Sequence, residues 1–131
     1  MEANELRIGN YIEAYGYVAN VTTIDDEIIE FNPISDKDGS LPEYNYIRTE
    51  DCNPIPITKE WLGKFELKES SYIDQYTSKF DLPDERFTIH LASDGNHKII
   101  FSGNELTFVH GIHQLQNLYF ALTGEELMIE E

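Results

Sequence analysis

Through the first third of the chain, apolar side chains recur at two-residue steps, the period of a strand with one buried face. Tyr11-Ile12-Glu13-Ala14 follows a turn candidate at Gly9-Asn10, with Leu6 and Ile8 on its other side. Tyr17 to Ile24 is rich in β-branched and aromatic residues, which suit a pleated surface. Asp25-Asp26 is a turn candidate because short Asp side chains bond the local backbone. Glu27-Ile28-Ile29-Glu30-Phe31 then reads as a returning strand. Short strands joined by tight turns predict a strongly bent meander or a small SH3-like barrel.

The period changes near the middle. Thr58 is a helix-capping residue, Glu60 sits where the helix dipole favours an anion, and Trp61 and Leu62 supply an apolar contact that Phe65 extends. Gly63 weakens this short helix or marks its end. Strand patterns then resume. Phe87–Leu91 and Lys98–Phe101 flank Ser93-Asp94-Gly95-Asn96, whose Asp-Gly pair predicts a hairpin. Ser102 to Glu105 makes the next turn and Leu106–Val109 a third strand, while Tyr72–Tyr76 reads as another. Ile112, Leu115, Leu118, Tyr119 and Leu122 share one helical face, and Gln114, Gln116 and Asn117 fall largely elsewhere. Gly124 stands where a left-handed helix end is wanted. Leu127 and Ile129 alternate with polar residues, which predicts a final edge strand. The expected class is α+β: an N-terminal bent meander, a short central helix, a β-hairpin region, and a C-terminal amphipathic helix packed on the sheet.

With 131 residues, the chain fits a single domain spanning 1–131. Net charge changes the picture most. Twenty-five acidic residues against nine basic ones give −16. Such a field repels phosphate backbones and anionic membranes, so direct nucleic-acid or membrane binding is not expected. It attracts and steers a protein with a basic surface. A local pocket around Arg7, Arg48, Lys59, Lys64, Lys68 or Arg86 remains available to a small anion. A lone Cys52 rules out an intrachain disulfide. The start Met1-Glu2-Ala3-Asn4-Glu5 lacks a basic region followed by an apolar run, so no signal peptide is expected and the cytoplasm is the simplest compartment.

Chemistry-bearing motifs are sparse. His110 and His113 are three apart and form a weak metal-binding pair; the simpler reading has His110 capping the last helix and His113 packing at its edge. Asp36-Lys37-Asp38-Gly39 is out of register for a calcium loop and reads as a solvated turn. Acidic neighbours Glu50 and Asp51 argue against a reactive Cys52. No glycine-rich phosphate loop, dinucleotide fingerprint or Gly-x-Ser-x-Gly elbow is present. No catalytic residue or cofactor is therefore expected. The tyrosines carry the best ligand-binding candidates: Tyr15 with Tyr17, and Tyr44 with Tyr46, each pair on one side of a strand, with Arg48 on the face of the second pair. Exposed, they would make a binding surface or an aromatic-plus-arginine anion site; packed, they would fill the barrel core, the more usual fate of aromatics in strands.

Three segments carry a resemblance: Glu5 to Tyr11, Pro54 to Leu62, and His113 to Leu127, which reads His-Gln-Leu-Gln-Asn-Leu-Tyr-Phe-Ala-Leu-Thr-Gly-Glu-Glu-Leu. Together they resemble an uncharacterised family of small proteins from phages and prophages of Bacteroidetes. The chain departs from that family's pattern at Gly63, where a bulky residue is usual, and at Glu66, near which a glycine is usual. The resemblance implies a mobile-element origin and action inside a bacterial host cell. It brings no catalytic residues with it.

The leading expectation is a non-catalytic binding protein acting on a host protein, with counter-defence among its roles. One alternative is a sponge that sequesters a nucleotide-derived signalling molecule. Others are a phage particle or assembly component and a metal-assisted enzyme. Exposed strand edges and the tail offer surface for a homo-oligomer.

Overall fold

The computed structural model describes Met1, residues 3–34 and residues 41–129; the segment considered as a calcium loop lies outside the described residues. The chain divides into two units, Met1–Ile55 and Pro56–Glu131. Each has its own antiparallel sheet. The α+β class is as the sequence predicts.

In the first unit, strands β1 (Tyr11–Ala14), β2 (Tyr17–Ile24), β3 (Ile28–Pro33) and β4 (Tyr46–Arg48) pair in chain order. The register slips between Val21 and Thr23, and such a bulge sharpens the bend of a strand. The meander therefore curls around Ile12, Ala14, Ala19, Val21, Ile29, Phe31 and Ile47, all buried. Leu6 joins this core without belonging to a strand. Before β1, the Arg7 N–H donates to Asn10 Oδ1 at 2.8 Å and the Asn10 N–H to the Arg7 carbonyl, so the chain turns there. Asp25 closes the next hairpin by donating its N–H to the Ile28 carbonyl.

The second unit holds helix α1 (Lys59–Lys64), strands β5 (Lys68–Asp74), β6 (Thr77–Asp81), β7 (Phe87–Ala92), β8 (His97–Phe101) and β9 (Asn104–Val109), and helix α2 (Ile112–Thr123). The five strands also pair in chain order. Gln75 and Tyr76, expected inside a strand, form the turn between β5 and β6; the Tyr76 N–H donates to Asp74 Oδ1. Both edge strands are bulged, which blunts pairing with another chain. The Asp-Gly hairpin lies between β7 and β8 as expected.

Helix α2 packs on this sheet through Tyr119, whose ring meets Phe87 edge-on at 5.2 Å and whose hydroxyl accepts the Asp84 N–H at 3.1 Å. Gly124 ends α2 at φ +77°, a left-handed conformation that suits glycine. Two expectations fail here. Gln116 is fully buried, because its amide Nε2 donates to the Leu127 carbonyl at 2.9 Å. The tail from Leu127 to Ile129 forms no strand, since that same bond and the burial of Leu127 fix it against the helix.

Thr58 caps α1 by accepting the Trp61 N–H at 3.2 Å. At the other end, Leu67 N–H bonds the Leu62 carbonyl and Glu66 N–H the Gly63 carbonyl, a Schellman closure. This places Glu66 at φ +60°, where a Cβ crowds the backbone. Glu66→Gly is therefore expected to stabilise the protein by about 0.5–1 kcal/mol, the strain relieved less the chain entropy added. A raised urea midpoint at unchanged slope checks it.

Candidate binding surface

The tyrosines expected to lie on two strands are arranged differently, and more usefully. Tyr15 is in the two-residue turn between β1 and β2, where Ala14 pairs with Tyr17. Tyr15 has φ +55° and Gly16 φ +81°, the pair of positive values that a tight type I′ hairpin requires. Asn-Gly is the usual solution; tyrosine at the first position is strained by about 1–2 kcal/mol. Tyr17, at the start of β2, is half-buried and does not share a strand face with Tyr15.

What holds Tyr15 there is contact. Its hydroxyl donates to the Tyr46 carbonyl at 2.8 Å. Its ring lies 6.3 Å from buried Phe31 and 6.2 Å from Tyr44, and Tyr44 lies 5.5 Å from Tyr46. Tyr46 and Arg48 project from the exposed side of β4, with Ile47 buried between them, as alternation dictates. Tyr44 precedes the strand. Tyr15, Tyr44 and Tyr46 are 49%, 46% and 48% exposed. The packed-core expectation is thus corrected for these three; Tyr11 does go into the core.

The surroundings are anionic. Glu30 is the cross-strand partner of Tyr46, and Glu43 adjoins Tyr44 in sequence. The Tyr15 hydroxyl is held above its ordinary pKa by loss of water contact first, then by Tyr46 and Asp51. Arg48 shares the exposed face of β4 but pairs with Glu50 at 3.4 Å. The cleft it lines, of about 670 Å3, also carries Asp26, Glu27 and Glu50, an environment suited to cations rather than anions.

The remaining candidates play structural parts. Cys52 is buried, with its thiol directed at the Arg48 carbonyl at 3.5 Å. Burial pushes its pKa up to about 11, ahead of the effect of Asp51. Its reaction with a disulfide reagent at pH 8 is therefore expected to be about a hundredfold or more slower in the native chain than in urea. A time course at both conditions checks this.

His110 reaches the Gly95 carbonyl through Nδ1 at 3.1 Å, while its backbone N–H and that of Gly111 donate to Gln114 Oε1. It is Gln114, rather than the His110 ring, that caps α2. His113 is buried, not placed at the helix edge. Among the described residues, no three His, Cys, Asp or Glu side chains converge on a metal position. No helix among them is long and apolar enough to cross a membrane.

Comparison with known protein families, curated proteins and solved structures gives no match to this chain.

Proposed function

We propose that this is a non-catalytic binding protein of phage or prophage origin, acting on a basic host protein in the bacterial cytoplasm through Tyr15, Tyr44 and Tyr46. The observation that carries the reading is Tyr15 itself. A bulky aromatic is kept in a left-handed turn that Asn would fill without strain, and its ring stays half-exposed. Strained residues of this kind cluster at ligand clamps and binding sites.

Three adjoining tyrosines offer large contact area at low side-chain entropy, the composition of an interface centre. The charge around them selects the partner. Met1–Ile55 contains twelve acidic residues, and its basic residues are Arg7, Lys37 and Arg48 alone. Lysine and arginine side chains interact favourably with tyrosine faces and with carboxylates at the rim. The phage origin and the cellular setting rest on the resemblance of the three sequence segments, and counter-defence is the role that setting favours.

Capture from a Bacteroidetes lysate at low and high salt tests the reading. A basic protein retained at low salt, released at high salt, and lost from a Tyr44→Ala/Tyr46→Ala variant is expected. A partner retained equally by the variant, or no salt-sensitive partner at all, counts against it.

A further inference from the structure

A second site is formed within Pro56–Glu131, independent of the tyrosine surface. A cleft of about 320 Å3 is bounded by α1, the β5–β6 hairpin and the ends of β7 and β8. Ile57, Ser78, Leu91 and His97 are its buried residues. Tyr72 and Tyr76 stand at its mouth, 69% and 64% exposed. Lys59 is its cation, with Nζ 5.7 Å from the centre of the Tyr72 ring.

Among the described residues, the lining contains no carboxylate side chain, in a chain with 25 acidic residues. By contrast, the cleft beside Arg48 is lined by Asp26, Glu27 and Glu50, and that beside Phe65 by Glu66, Asp81 and Glu85. An anion is therefore tolerated here as it is not at those clefts. Carboxylates do adjoin the rim: Asp74 accepts the Tyr76 N–H at 2.8 Å, and Glu69 pairs with Lys59 at 3.2 Å and is hydrogen-bonded to Tyr72. An ammonium has three donors, so this pairing leaves two for a ligand.

His97 makes the floor rigid. Its Nδ1 accepts the Ala92 N–H at 3.1 Å, and the ring also bonds the backbone of Ile57. Burial, first, and then His110 hold its pKa below the ordinary value, which keeps the imidazole neutral. It serves as a fixed wall rather than as a proton carrier.

We infer that the cleft binds a small planar aromatic ring bearing one anionic group, stacked on Tyr72 or Tyr76 with the anion on Lys59. The volume lies at the small end of ligand sites, where a single ring system fits. Aromatic stacking is tolerant of ring type, so the shared chemistry covers both nucleotides and aromatic carboxylates. This goes beyond the proposed protein partner and does not depend on it.

NMR titration of the full chain with adenosine monophosphate, adenosine, benzoate and inorganic phosphate tests the inference. Saturable shifts at Tyr72, Tyr76, Ala92 and His97 are expected with adenosine monophosphate or benzoate, and the stronger of the two identifies the ligand source. Tyr72→Ala with Tyr76→Ala is expected to weaken binding about tenfold or more, because stacking is lost. Lys59→Gln is expected to remove the preference for adenosine monophosphate over adenosine, a loss of about fivefold or more, as a charge-assisted contact disappears. All three side chains are at the surface, so unchanged thermal midpoints separate loss of binding from loss of fold. No shifts at millimolar ligand, equal shifts from inorganic phosphate alone, or affinities unmoved by these variants would overturn it.

Discussion

Replacing Tyr15 by asparagine is expected to weaken partner binding by about thirtyfold or more while leaving stability within about 1 kcal/mol of the parent. The two effects have separate causes. Asparagine followed by Gly16 is the favoured type I′ turn, so about 1–2 kcal/mol of backbone strain is relieved. That gain offsets the ring contact with Phe31 and the bond to the Tyr46 carbonyl. Binding has no such compensation, since truncating an aromatic at the centre of an interface typically costs 2 kcal/mol or more. Denaturant titration and affinity for the captured partner, measured on the same preparation, check both halves. A residue kept for folding alone would show the reverse: lower stability and unaltered affinity.

The other large effect concerns the second unit. Phe87→Ala is expected to destabilise the protein by about 3–5 kcal/mol. Phe87 is fully buried, and Tyr119 and Phe101 both pack on it, at 5.2 and 6.0 Å. Neither ring can collapse into the vacated space without disturbing other contacts, because the Tyr119 hydroxyl also accepts the Asp84 N–H and the Phe101 ring also meets the Arg86 guanidinium at 5.1 Å. Tyr119→Phe keeps the ring, removes the hydroxyl's bonds to the Asp84 N–H and the Thr123 side chain, and is expected to cost about 1 kcal/mol. Urea unfolding of the two variants side by side distinguishes the cavity from the hydrogen bonds.

Features set by local chemistry were legible in the sequence. The Thr58 cap, the Asp94-Gly95 hairpin and the left-handed Gly124 each depend on one or two residues and their immediate backbone. Strand β6 was not legible. Its inward positions are Ser78 and Phe80, and a buried serine erases the alternation that marks a strand. The tail misled in the opposite way: Leu127 looked like the start of an alternating strand, yet it is a single apolar residue set into the core beside α2. Gln116 looked solvent-facing because its partner, the Leu127 carbonyl, lies eleven residues on.

The candidate site was half legible. Tyr46 and Arg48 fall on one side of β4 by simple alternation, as they do in the structure, while Tyr44 precedes the strand and joins them through its ring contact with Tyr46. The part played by Tyr15 was not. Tyrosine in a strand-rich segment argues for packing on a pleated surface, and nothing in the spacing says that Tyr15-Gly16 is the turn. Only the pairing of Ala14 with Tyr17 reveals it, and with it the reason the ring meets Tyr44. Charge on Arg48 was visible, but the carboxylates sharing its cleft come from separate segments, at Asp26, Glu27 and Glu50.

The most direct measurement places a photo-reactive benzoyl-phenylalanine at position 44 in the chain expressed inside a Bacteroidetes host. Illumination is predicted to give one dominant adduct, with a basic host protein, that Tyr15→Asn removes. An adduct pattern unaltered by Tyr15→Asn, or matched by the same probe at exposed Glu126, would contradict the claim that this aromatic surface is where the partner sits.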